Sequence, residues 1–129
     1  MRGDPSDPHV WLAYAIRDYQ WAKRDLEQDE PLRAVISLQQ TAEKILKAKL
    51  VSLGWSLQKS HSLSHLLSEL HKHNIDHDWF QSCAEALSYE YFAERYPGDF
   101  DEPPSLMEVR EFEVQVLKLI HLLFPDSLH

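Results

Sequence analysis

Gln40, Lys44 and Lys47 stand at i, i+4 and i+7, the spacing of one strip along a helix. Two ammonium groups on one strip could meet a phosphate, because lysine is a compact, flexible point charge. The alternative is a solvated helix face, with Glu43 supporting Lys47 at i+4 by about 0.2–0.5 kcal/mol. Either way the strip is expected to lie away from the apolar side of its helix. Its surroundings are basic. Between positions 31 and 60 there are five Lys or Arg and a single acid, Glu43, within a chain of net charge −8. That segment carries +4, so the remainder carries −12, the difference between the two. An acidic remainder disfavours wholesale binding to duplex DNA. A local anion site is still allowed, because charge is felt over roughly 8–10 Å.

Other reactive side chains offer less. His61, His65, His71, His73 and His77 fall within 17 residues. A zinc site needs three or four ligands at about 2.1 Å from one point. His71 and His73 point to different sides of a helix, and no HExxH is present. Surface and capping roles are expected for them, and no metal. Cys83 is the one cysteine and sits on an apolar helix face, which suits an inert buried thiol. There is no GxSxG and no glycine-rich phosphate loop. Asp99 and Asp101 lie in a turn-rich segment and are expected to be solvated or capping. Arg95 precedes Tyr96 and Pro97 at the end of a helical pattern. It either answers the negative end of that helix or clamps a phosphate or carboxylate.

The elements that position these groups are helical throughout. Asp7-Pro8 reads as an N-cap with proline at the first helical position, and a first helix runs towards Asp29. Its apolar side is Trp11, Tyr14, Ala15, Ala22 and Leu26. Pro31 opens a second helix to about Leu53, roughly 33 Å long. Its broad apolar face is Val35, Leu38, Ala42, Ile45, Leu46, Leu50 and Leu53, and Gly54 stops it. After a loop, Ser60 or Ser62 caps a short leucine helix bearing Leu63, Leu66, Leu67 and Leu70. A fourth helix carries Phe80, Cys83, Ala84, Leu87 and Tyr91. Pro97, Pro103 and Pro104 keep residues 94–104 from being helical, with Tyr96 and Phe100 as anchors. Ser105 and Glu108 fit a capping box for a fifth helix with Val109, Phe112, Val116, Leu119, Ile120 and Leu123 inside. No segment alternates like a strand. The expectation is an all-α antiparallel bundle of about five helices, framed by helices one, two and five. It is expected to be one domain over residues 1–129, with its core from about 8 to 124. A single cysteine and the absence of a long apolar run or signal-like leader point to a cytoplasmic protein with no membrane span.

The order of three segments carries a resemblance. Gln39 to Ala48 reads Gln-Gln-x-Ala-Glu-Lys-x-Leu-Lys-Ala. Ser60-His61-Ser62-Leu63 follows and opens the leucine helix, and then comes Arg95-Tyr96-Pro97. Together they resemble the HEPN domain family (higher eukaryotes and prokaryotes nucleotide-binding) over about Tyr14 to Leu123. The resemblance implies an antiparallel helical bundle, a homodimer, and a nucleotide ligand in some members. It also implies a small nucleotidyltransferase as partner, in some cases as a toxin–antitoxin pair. Other members are metal-independent ribonucleases that use Arg-x4–6-His late in the bundle. Here only Arg2 has a histidine in range, His9, and both stand at the N-terminus. Losing a positioned acid–base group forfeits roughly 10²–10⁴-fold in rate.

The expected function is therefore a non-catalytic, dimeric module with no required cofactor, binding a nucleotide or other anion through Lys44, Lys47, His61 and Arg95. A degenerate ribonuclease and a purely structural interaction domain are the alternatives. Four Trp and five Tyr exceed what a small bundle must bury, which favours an interface. Trp55 belongs either to that interface or to a small cluster beneath the loop.

Overall fold

A computed structural model of the chain describes residues 2–96, 98 and 102–127. The helices are α1 (Pro8–Glu27), α2 (Pro31–Ser52), α3 (Leu63–His71), α4 (Asp78–Arg95) and α5 (Leu106–Leu123). No strand occurs among the described residues. No described helix is long and apolar enough to cross a membrane.

Local chemistry accounts for the boundaries. Asp7 accepts a hydrogen bond from the His9 amide at 2.9 Å and Pro8 opens α1, so an orphan donor is satisfied where proline costs nothing. Ser62, rather than Ser60, caps α3 by accepting from the His65 amide at 3.2 Å. Ser105 does the same for the Glu108 amide at 3.1 Å, and its hydroxyl donates to the Glu108 carboxylate at 3.2 Å. The end of α2 is a Schellman turn. The Trp55 amide reaches back to the Leu50 carbonyl at 3.0 Å and the Gly54 amide to Val51 at 3.1 Å, with Gly54 at φ 89°. The end of α1 repeats that turn without glycine. Asp29 takes φ 56°, and the Glu30 amide bonds the Asp25 carbonyl at 2.8 Å. Helix α1 accordingly closes at Glu27, two residues before the reach of its sequence pattern.

Helix α2 is the centre of the bundle and packs against all four others, most extensively against α1. Leu38, Ile45, Leu46 and Leu50 are fully buried, together with Phe80 from α4 and Leu119 and Ile120 from α5. The four leucines of α3 close the same continuous core. Phe112, Cys83 and Tyr91 pack against its edge only partly buried. The frame differs from the expected one in a single respect: α4, at 18 residues, is as long as α5. Trp55 is half-buried and packs against the main core, not in a separate small cluster beneath the loop. Asp99, Asp101, Phe100 and Pro97 lie outside the described residues. Tyr96 stacks on Phe92 with ring centroids 4.5 Å apart.

Candidate functional site

The lysine strip does not face water. Because α2 is central, the side opposite its apolar face is covered by α1, and Lys47 is only 4% exposed. Ammonium groups in such a place need partners, since an unpaired buried charge is costly. Lys44 Nζ donates to Asp18 Oδ2 across the α1–α2 seam. Lys47 Nζ donates to Glu43 Oε2 at 3.4 Å, the i, i+4 pair expected from the sequence. Glu43 uses its other oxygen on His61, Nδ1 to Oε1 at 3.1 Å. On the far side of Asp18, the Arg17 guanidinium closes to 3.1 Å. The result is one chain of charges, Arg17–Asp18–Lys44, lying beside a second, Lys47–Glu43–His61.

The two chains are unequally accessible. The Asp18 side chain is 4% exposed and that of Lys44 13%, whereas Arg17 is 41% exposed and His61 83%. The buried members therefore set a fixed local field, and Arg17 and His61 carry it to the surface. Three permanent cations face two carboxylates, leaving one positive charge in excess when His61 is neutral. Aromatic rings line the α1 side. Lys47 lies 5.3 Å from the Trp11 ring and Lys44 5.8 Å from Tyr14. Arg17 lies between Tyr14 at 4.4 Å and Trp21 at 4.5 Å. The N-terminal segment holds two of these rings. Trp11 Nε1 donates to the Pro5 carbonyl at 2.8 Å, and the Arg2 amide donates to the Tyr14 hydroxyl at 2.9 Å.

The structure thus brings Lys44, Lys47 and His61 to one region and leaves Arg95 apart. Arg95 stands exposed in the last turn of α4, with its guanidinium 5.2 Å from the Tyr91 ring. Sequence reasoning missed Asp18 and Arg17. A signal for Asp18 was present: Trp11, Ala15, Asp18 and Ala22 fall at i, i+4, i+7 and i+11. An acid in that buried stripe requires a cation opposite. Arg17 follows from Asp18 only once the helices are docked.

Burial displaces two titratable groups elsewhere in the bundle. Burial pushes the Cys83 thiol up to about 12, so the thiolate is scarce near neutrality. Burial, and next the neighbouring Glu113 carboxylate, raise the Tyr19 phenol. Among the described residues no three His, Cys, Asp or Glu side chains converge as metal ligands.

An all-helical bundle with a buried ionic seam at its central helix pair is the class that fold and site define. A family model for the HEPN domain matches residues 9–122, and the chain belongs to that family. The solved structure of TT1696 from Thermus thermophilus superposes with a TM-score of 0.79 at 23% identity, covering 94% of this chain and 98% of that one. At that identity the likeness speaks for the fold. No curated protein matches.

Proposed function

We propose that this HEPN domain is a non-catalytic, dimeric binding module. It takes a nucleotide or similar anion along the α1–α2 ridge and acts with a nucleotidyltransferase partner, in a pair of the toxin–antitoxin type. The observation that carries the reading is the cationic excess of the seam together with its two accessible ends, Arg17 and His61. Lys44 and Lys47 act from within, holding Asp18 and Glu43 so that the surface cations are not neutralised outright. Arg95 supplies a second, separate contact at the end of α4, available to the ligand's far end or to the partner. Dimerisation is supported by exposed apolar side chains on α5, with Met107, Val114 and Leu122 all at least half exposed along one side.

The site dictates the choice of variant. Lys44→Ala with Lys47→Ala would take the inner cation from two buried carboxylates and confound binding with unfolding. Arg17→Ala with His61→Ala removes the accessible ends instead. Isothermal titration with ATP or GTP should show binding by wild type and a loss of roughly tenfold or more in this double variant, the worth of a charged hydrogen bond. No binding by either protein, or equal binding by both, ends the reading. For the partner, co-expression with a nucleotidyltransferase encoded in the neighbouring reading frame should yield a complex that survives gel filtration.

One observation favours a second reading, a residual ribonuclease. His61 is an exposed imidazole held through Nδ1 by a buried carboxylate, the arrangement that orients a general base. Clean cleavage of bulk RNA that survives chelator and disappears in His61→Ala would establish it over the non-catalytic reading.

A further inference from the structure

Near the turn joining α1 to α2 lies an open cleft of about 300 Å³, lined by Trp21, Asp25, Arg33, Ile36 and Ser37. Its volume is at the lower end of small-molecule sites, which run from about 300 to 1,000 Å³. Trp21, Asp25 and the network's Arg17 stand at i+4, i+8 and i on α1, so they share one side of that helix. Arg33 and Ser37 are one turn apart on α2 and form the opposite wall. The Trp21 indole is 45% exposed although it is among the largest apolar groups of the chain. It is also held in place, because the Arg17 guanidinium lies 4.5 Å from its ring. Neither Asp25 nor Arg33 has a side-chain hydrogen bond or ion pair among the described residues.

We infer that this cleft is a base-binding pocket, in which a nucleobase carrying an exocyclic amine stacks on Trp21 with its amine donating to Asp25. The inference rests on the anion reading above and adds to it a specificity element outside the residues proposed there. An exposed indole offers any base a flat apolar face. Arg33 supplies a planar cation for the base's other face, since guanidinium groups stack on aromatic planes. Asp25 accepts a hydrogen bond and cannot donate one when ionised, so it welcomes an amine and opposes a carbonyl oxygen. Ile36 excludes water from one edge, and the Ser37 hydroxyl can donate or accept. The polarity of the ligand follows from charge. Asp25 lines the cleft and Asp29 and Glu30 follow it in the α1–α2 turn, whereas the cationic excess lies towards Arg17 and Lys44. The phosphates therefore run from Trp21 towards Arg17, one helical turn or about 5.4 Å along α1, and the base sits nearer the turn.

Four ligands and three variants test this by titration calorimetry. Wild type should bind ATP more tightly than inorganic triphosphate, and ATP more tightly than inosine triphosphate, which lacks the amine. Trp21→Ala should weaken ATP by roughly 5- to 150-fold, the worth of one base–aromatic stack. It should leave inorganic triphosphate unchanged, which also reports that Arg17 has kept its place. Trp21→Phe should restore most of the loss. Asp25→Ala should bring ATP and inosine triphosphate to equal affinity, with cytidine triphosphate following ATP. If wild type binds inorganic triphosphate as tightly as ATP, or if Trp21→Ala binds ATP unchanged, the pocket is overturned and the anion reading stands. If wild type binds neither ATP nor triphosphate, both fall together.

Discussion

The α1–α2 seam and the outer side of α5 depart from the usual partition of residues in opposite directions. At the seam, Asp18, Glu43 and Lys47 are buried with their charges. On α5, Met107 is 76% exposed and Val114 and Leu122 about half. The difference teaches where each region's constraint comes from. Charges enter the seam because two long helices dock there and each ion finds its counter-ion within the same chain. Apolar groups stay outside on α5 because they lie on the side of that helix that no other helix of the bundle covers. The seam is a feature of the folded monomer. The α5 side is left open at the surface of the monomer.

The largest expected effect comes from breaking the seam. Asp18→Ala leaves the largely covered Lys44 without its carboxylate and should cost up to about 3 kcal/mol by chemical denaturation, the lower end of the range for a fully buried pair. Adding Lys44→Met should recover much of that loss, since an apolar replacement of a whole buried pair is often neutral or stabilising. Failure to recover would mean that the pair, and not the stranded charge, holds the helices together.

On α5 the expected effect is on assembly. Wild type should elute as a dimer by size exclusion with light scattering at tens of micromolar, and Met107→Asp with Val114→Asp should convert it to a folded monomer. A wild-type monomer would remove the contrast between the two regions.

Stability at alkaline pH reports on the Cys83 thiol of α4, with the Tyr19 phenol entering from about pH 10. The Cys83 thiol titrates near 12 in the folded chain against an ordinary value of 9.0. The unfolded chain therefore loses its thiol proton first. Stability is therefore undiminished below about pH 9 and falls between pH 9 and about 12, by up to one proton's slope from this group. Cys83→Ala should flatten the urea-midpoint profile between pH 9 and 10 and leave the Tyr19 contribution above it, and wild-type Cys83 should react slowly with thiol reagents at pH 8.

The smallest effect sharpens the seam itself. His61→Ala should change stability by no more than about 0.5 kcal/mol, as for most surface substitutions, because the imidazole is exposed and Glu43 keeps Lys47. Its loss should appear in ligand binding instead.

Most of the helical framework was legible, for a physical reason. Caps and stops are local chemistry, so Asp7, Pro8, Gly54 and the Ser105–Glu108 pair marked their helix ends correctly. Leu63, Leu66, Leu67 and Leu70 repeat with the helical period, and all four are buried. Asp29 was less legible, because a left-handed aspartate has no signature like that of glycine. The candidate site was read in part. Lys44, Lys47 and His61 do share a region, but the strip was expected away from the core side and is covered. Periodicity places residues on a face of their own helix and says nothing about which neighbour will cover it. Asp18 shows the same limit from the other helix, since its burial makes sense only with Lys44 opposite.

The amino-acid order alone therefore determined the five helices, their polar and apolar sides, and the family, because these depend on neighbours within a turn or two. Docking decided the rest. Once α2 became central, its lysines had to find carboxylates on α1 and within α2, and the seam, its two accessible ends and the Trp21 cleft all follow from contacts between residues far apart in the chain.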